Sequence, residues 1–132
     1  MSPFQYLTEE WRAEAERRLK AELTPERMNH ITSSMSNVYL DCPGGETKYL
    51  LFRFEDGALA EMALGQGAPP EAEFLITGSY DVFAQISRAE LGAQKALMTG
   101  KLKLKGNMIK ALKLAAIADR LNKVLAGIPA VY

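Results

Sequence analysis

The chain has 132 residues, 48% of them hydrophobic, and its 16 basic and 16 acidic side chains leave no formal net charge. That balance belongs to a globular protein and excludes global disorder, and the length fits one domain over residues 1–132. The basic excess of a dedicated nucleic-acid binder is missing.

Cys42 is the lone cysteine, so no intrachain disulfide can form, and a reducing compartment is expected. The opening MSPFQYLTEEW has neither the basic nor the apolar region of a signal peptide. No apolar run approaches the roughly 20 residues of a membrane span, so the expected location is cytoplasmic.

In chain order, residues 2–24 read as a surface helix. Ser2 before Pro3 offers one start and Thr8 before Glu9 and Glu10 a second. Leu7, Trp11, Ala15, Leu19 and Leu23 recur every fourth residue, a narrow apolar stripe that docks on something larger. Thr24-Pro25 opens a short turn to about Asn29. Residues 33–41 and 47–55 read as strands, and Asp56-Gly57 as a hairpin into a third strand at 58–64, giving an antiparallel meander. The loop GQGAPPEAE leads to a fourth strand at 74–77. Ser79 caps a helix from Tyr80 to about Arg88, and a short helix over 93–98 stops at Gly100. Lys101–Lys105 alternates, with Leu102 and Leu104 inward and three lysines outward, as in a strand near a sheet edge. Asn107 caps a last helix over 108–126, which Gly127 and Pro129 end.

The last helix carries the strongest signal. Of the 20 residues from Asn107 to Ala126, 13 are Ala, Val, Ile, Leu or Met. At roughly 100° per residue they do not form one stripe. Leu114, Ile117, Leu121, Val124 and Leu125 share one arc. Met108, Leu112 and Ala115 fall on another, nearly opposite, with Ile109 and Ala116 beside it. Three readings account for a second apolar side: embedding between sheet and helices, an apolar ligand cavity, or a dimer or membrane surface. The 11 aromatics are absent between Phe83 and Tyr132, so this half of the chain packs only flexible aliphatic and Met side chains.

Catalytic and metal motifs are missing: there is no G-x-S-x-G, Walker A, dinucleotide loop or H-E-x-x-H. His30 reads as a surface histidine and Cys42 as an incidental thiol. No cofactor, metal site or catalytic residue is expected, nor nucleic-acid binding, since the lysines have no interleaved aromatics for stacking.

The stretch Ala96–Leu114, ALMTGKLKLKGNMIKALKL, resembles the sterol carrier protein-2 domain family. It shares the short helix, Gly100, the alternating basic strand ending at Gly106, the cap at Asn107 and the apolar helix. The resemblance covers about residues 20–126. It implies an α/β (α+β) fold, a five-stranded, mostly antiparallel sheet covered by helices, with an apolar tunnel between them. It also implies non-catalytic binding and transfer of a fatty acid, acyl-CoA, phospholipid or sterol. By resemblance, Met108, Leu112, Ala115 and Ala116 would line the tunnel, with Phe83, Leu97, Met98, Leu102 and Leu104 as further lining. Lys110 and Lys113 would meet an anionic head group. The chain departs from the peroxisomal pattern, ending in Ala130-Val131-Tyr132, and carries no fused enzymatic domain, so a free-standing bacterial-type member is expected. The partners so implied are a lipid and a transient membrane contact. The rival readings are a homodimeric interaction module and an accessory subunit of a lipid-modifying enzyme.

Overall fold

The computed structural model describes residues 3–132. In chain order it contains β1 (Phe4–Gln5), α1 (Glu9–Glu22), β2 (Ser33–Leu40), β3 (Lys48–Glu55), β4 (Ala58–Gln66) and β5 (Phe74–Ser79). There follow α2 (Tyr80–Ser87), α3 (Ala93–Met98), β6 (Lys103–Lys105), α4 (Met108–Ala126) and β7 (Ala130–Val131).

Five strands form one sheet in the order β4-β3-β2-β5-β6. Three of its four neighbouring pairs are antiparallel and β2–β5 is parallel. The class is α+β and the sheet mostly antiparallel, as the sequence indicates. Asp56 (φ 48°) and Gly57 (φ 81°) both lie in the left-handed region, which makes the twist of the β3–β4 hairpin compatible with its strands. A loop over residues 67–73 then carries the chain across β3 and β2, so that β5 joins the far side of the meander. Ser36 Oγ donates to the Pro70 carbonyl (2.7 Å) and Glu73 N donates to Ser34 Oγ (2.9 Å), fixing the loop against the strand.

The N-terminal helix begins later than the sequence suggests. Thr8 caps α1, its Oγ1 accepting from Trp11 N at 3.4 Å. Leu7 has φ 58°, which no right-handed helix can pass through, so residues 3–7 cannot belong to α1. Instead β1 pairs in parallel with β7, Phe4 N donating to the Pro129 carbonyl at 2.8 Å. Ser2, the other candidate cap, lies outside the described residues. The stripe is as read: Trp11, Ala15 and Leu19 are fully buried, and Leu23 only partly. The opposite side of α1 is laced with ion pairs, among them Arg12–Glu16 (2.9 Å) and Arg18–Glu14 (2.7 Å).

The remaining caps match their residues. Val82 N donates to Ser79 Oγ (3.2 Å), and Lys110 N to Asn107 Oδ1 (3.0 Å). The last sheet strand shortens to Lys103–Lys105 and lies at the sheet edge. Lys101, Lys103 and Lys105 are exposed, Leu102 is buried and Leu104 half-buried.

Candidate functional site: an uncharged cavity under α4

Alternation along β2 turns Met35, Asn37 and Tyr39 toward the helices, where they meet Leu50 and Phe52 of β3 and Ile76 of β5. Above this floor lie Phe83, Ile86 and Ser87 of α2, Ala93 and Leu97 of α3, and Leu102. One face of α4 closes the space with Ala111, Leu114, Ala115, Ala118, Leu121, Asn122 and Leu125. The enclosed cavity is about 50 Å³. No Asp, Glu, Lys, Arg or His lines it. Gly78 makes room at one corner: a Cβ there would stand 2.5 Å from Leu102 Cδ2 and 3.2 Å from Phe83 Cε2.

One end of the cavity meets an aromatic cluster, of which Tyr39 and Phe83 lie on the wall. Tyr39 and Phe83 rings approach to 4.2 Å, and Tyr6 packs against Trp11 (4.8 Å), Tyr80 (5.6 Å) and Tyr132 (4.5 Å). Arg88 lies over the Tyr132 ring at 4.8 Å. The buried hydroxyls of Tyr6 and Ser87 bond at 2.6 Å. Burial is the main cause that holds the Tyr6 and Tyr39 phenols above their ordinary range, so both stay neutral. Asn37 Oδ1 is buried without a hydrogen-bond partner, an orphaned acceptor on the wall.

The other end is aliphatic and rests on α3. This helix has six residues, and Gly92 supplies no side-chain cap. Its first turn is held instead by Asp119 of α4, whose Oδ1 accepts from Ala93 N at 2.8 Å.

Four of the residues expected on the wall are there: Phe83, Leu97, Leu102 and Ala115. Leu104 and Leu112 are half-buried and pack on the core outside the cavity. Met98 and Met108 are 70% and 48% exposed, and Ala116 is also exposed, so these three face solvent. Lys110 and Lys113 are exposed and off the wall; Lys110 Nζ bonds the Glu73 carboxylate. That bond, followed by one from Ser33, lowers the Glu73 carboxyl from its ordinary value. The buried face of α4 thus follows the spacing 111, 114/115, 118, 121/122, 125. Three of these seven residues are small alanines, and their modest hydrophobicity hides the stripe behind the larger Leu and Ile in a sequence reading. Asn37 was equally hidden, since an amide in a strand carries no ligand signal by itself.

His30 is exposed and bonds the exposed Asp56 through Nδ1 at 3.1 Å. Cys42 is buried, and burial is the main cause that pushes its thiol up. Among the described residues no group of three His, Cys, Asp or Glu side chains could hold a metal.

These features define an α+β protein with an apolar, uncharged interior cavity between its sheet and helices. The family model described as the SCP-2 sterol transfer family matches residues 13–119, and the chain belongs to that family. The oleate-induced peroxisomal protein POX18 of Candida maltosa is 34% identical over 80 residues, 60% of this chain and 60% of its own. A fatty acid-binding protein of Yarrowia lipolytica is 43% identical over 47 residues, 36% of each chain. The chain therefore spans at most 60% of the length of the curated relatives it matches. In structure, the fold is similar to crystalline sterol carrier protein 2, with a TM-score of 0.80 at 24% identity over 94% of this chain and 99% of that one.

Proposed function

We propose that the protein binds the acyl chain of a lipid in the cavity under α4 and carries it between membranes, without catalysing a reaction on it. The observation that carries this reading is the wall itself: a buried space lined by Leu, Ile, Ala, Met and Phe, and by no ionised side chain. Family membership and a fatty acid-binding relative support the ligand class. Burial of apolar chain contributes about 0.8 kcal/mol per CH₂, or about 12 kcal/mol gross for a C16 chain. Several kcal/mol of association and ordering cost leave micromolar or tighter binding within reach.

At about 50 Å³ the cavity holds only a few water-sized groups. Ligands of this size occupy roughly 300–1,000 Å³, so uptake requires the wall to move. The element built to move is α3, too short to be stable alone and tied by Asp119. Leu and Met side chains around it repack easily. The polar groups on the wall, Asn37, Tyr39, Ser87 and Asn122, are all uncharged. An ionic head group would therefore remain outside, where Lys113 is open and Lys110 is engaged by Glu73.

The test is native mass spectrometry of solvent-delipidated protein with equimolar palmitate. A one-to-one adduct that survives gentle activation is expected. A protein that forms no adduct and takes up no fluorescent fatty acid would falsify the proposal.

A further inference from the structure

The apolar side chains that the cavity leaves outside gather with the charge. Residues 91–118 hold six lysines, Lys95, Lys101, Lys103, Lys105, Lys110 and Lys113, and no Asp or Glu. All six are exposed. Among the described residues only Lys110 has a carboxylate partner, Glu73. The same stretch carries Met98 at 70%, Met108 at 48% and Ile109 at 71% exposure, three of the five large hydrophobics exposed in the described residues.

Topology places these groups along one edge. β6 is the terminal strand of the sheet, α3 ends just before it and α4 begins just after it. β6 itself, Lys103–Lys105, spans roughly 7 Å at about 3.3 Å per residue. Met98 thus stands at one end of a short lysine strip, with Met108 and Ile109 at the other. The asymmetry within the molecule is sharp. On the exposed side of α1 the arginines are paired with Glu9, Glu14 and Glu16.

From this arrangement we infer that the α3–β6–α4 edge docks on an anionic phospholipid surface, with Ile109, Met108 and Met98 reaching past the head groups and the lysines pairing with them. Charge complementarity identifies the occupant. Each lysine near an anionic leaflet contributes attraction that the neutral molecule as a whole cannot supply. Isolated aliphatic prongs match acyl chains, and the absence of aromatics removes the platform that a single-stranded nucleic acid needs. The inference rests on the carrier reading above, because α3 and α4 also form the cavity wall. Docking would set the movable wall against the bilayer that supplies or receives the lipid.

The experiment is co-sedimentation of the full chain with vesicles of phosphatidylcholine alone, or with about one part in four of phosphatidylglycerol. Binding to the anionic vesicles is expected to be on the order of tenfold stronger and to fall as salt is raised. Ile109→Ser should weaken it by roughly tenfold, from the loss of one buried aliphatic side chain. Lys101→Glu with Lys105→Glu should abolish the anionic preference. Both variants change exposed side chains off the cavity wall, and should take up a fluorescent fatty acid from buffer as the parent does. Equal binding to both vesicles, or variants that bind as the parent does, overturns the docking surface. So does retention on an acidic polypeptide with no vesicle binding. If fatty-acid uptake persists in those cases, the carrier reading stands while the docking surface falls; loss of uptake in the parent itself removes the carrier reading.

Discussion

The two ends of the cavity are built from different materials. At one end the wall residues Tyr39 and Phe83 join Tyr6, Tyr80 and Tyr132, rings drawn from four separate segments that lock edge to face or tilted, within 4.2 to 6.4 Å of a neighbour. A buried Tyr6–Ser87 bond and the β1–β7 pairing hold the chain ends over that cluster. At the other end Leu97, Ala111, Leu114, Ala115 and Ala118 lie on the wall beside a six-residue helix. Rings have few rotamers and specific pair geometry, so the first end resists change. Unbranched and small aliphatic side chains repack, so the second end yields. A carrier needs both, a fixed stop that defines the site and a wall that admits chains of different shape.

The largest effect expected from breaking this contrast comes from truncation at the two ends. Phe83→Ala removes a buried ring that packs tilted against Tyr39 and should destabilise by about 3–5 kcal/mol, read as a drop in denaturant midpoint. Leu97→Ala, on the yielding end, should cost nearer 2 kcal/mol, because α3 can settle into the space. It should also leave fatty-acid uptake intact. Equal losses at both positions would erase the distinction between a rigid and a plastic end.

A smaller effect sharpens the role of α3. Asp119→Ala removes the acceptor for Ala93 N and should cost about 1 kcal/mol, as loss of a helix cap does. Hydrogen exchange should rise in residues 93–98, and fatty-acid association should become faster. Unchanged exchange in that segment would show that α3 is held by packing alone.

The smallest effect concerns the tie between α4 and the sheet. Glu73 is depressed first by Lys110, then by Ser33. A carboxylate lowered in the folded state contributes stability that is fully present above its unfolded value near 4.5 and is lost as pH falls through the lower folded value. Stability should therefore decline as pH falls from about 4.5 through the lower folded value, and the decline should be shallower in Glu73→Gln. Because both partners are substantially exposed, the difference should be slight.

Much of the fold was legible because several signals agreed locally. Thr8, Ser79 and Asn107 each stood before a helical pattern and each caps one. Asp56-Gly57 dictated a hairpin, and the lysine alternation gave an edge strand. The parallel β2–β5 pairing was not legible, since register between distant strands depends on the path of the 67–73 loop. Nor was β1, whose two residues gain strand geometry only from β7 at the other end of the chain. On the site, reading α4 by its large residues separated Ala115 from Leu114, although both lie on the buried face. The apolar surplus that pointed to a second buried side divides otherwise: Leu112 rests on the core, while Met108 and Ile109 face outward beside the lysines.

Ala115 offers the most direct test of the central claim that the space under α4 holds the ligand. Its methyl lies on the wall, and the residue is buried. Ala115→Leu fills the cavity at an overpacking cost of about 1–3 kcal/mol at most. Titration of folded parent and variant with a fluorescent fatty acid should show at least a tenfold loss of affinity in the variant, a change of about 1.4 kcal/mol. A folded Ala115→Leu protein that binds as tightly as the parent would place the ligand elsewhere and contradict the account.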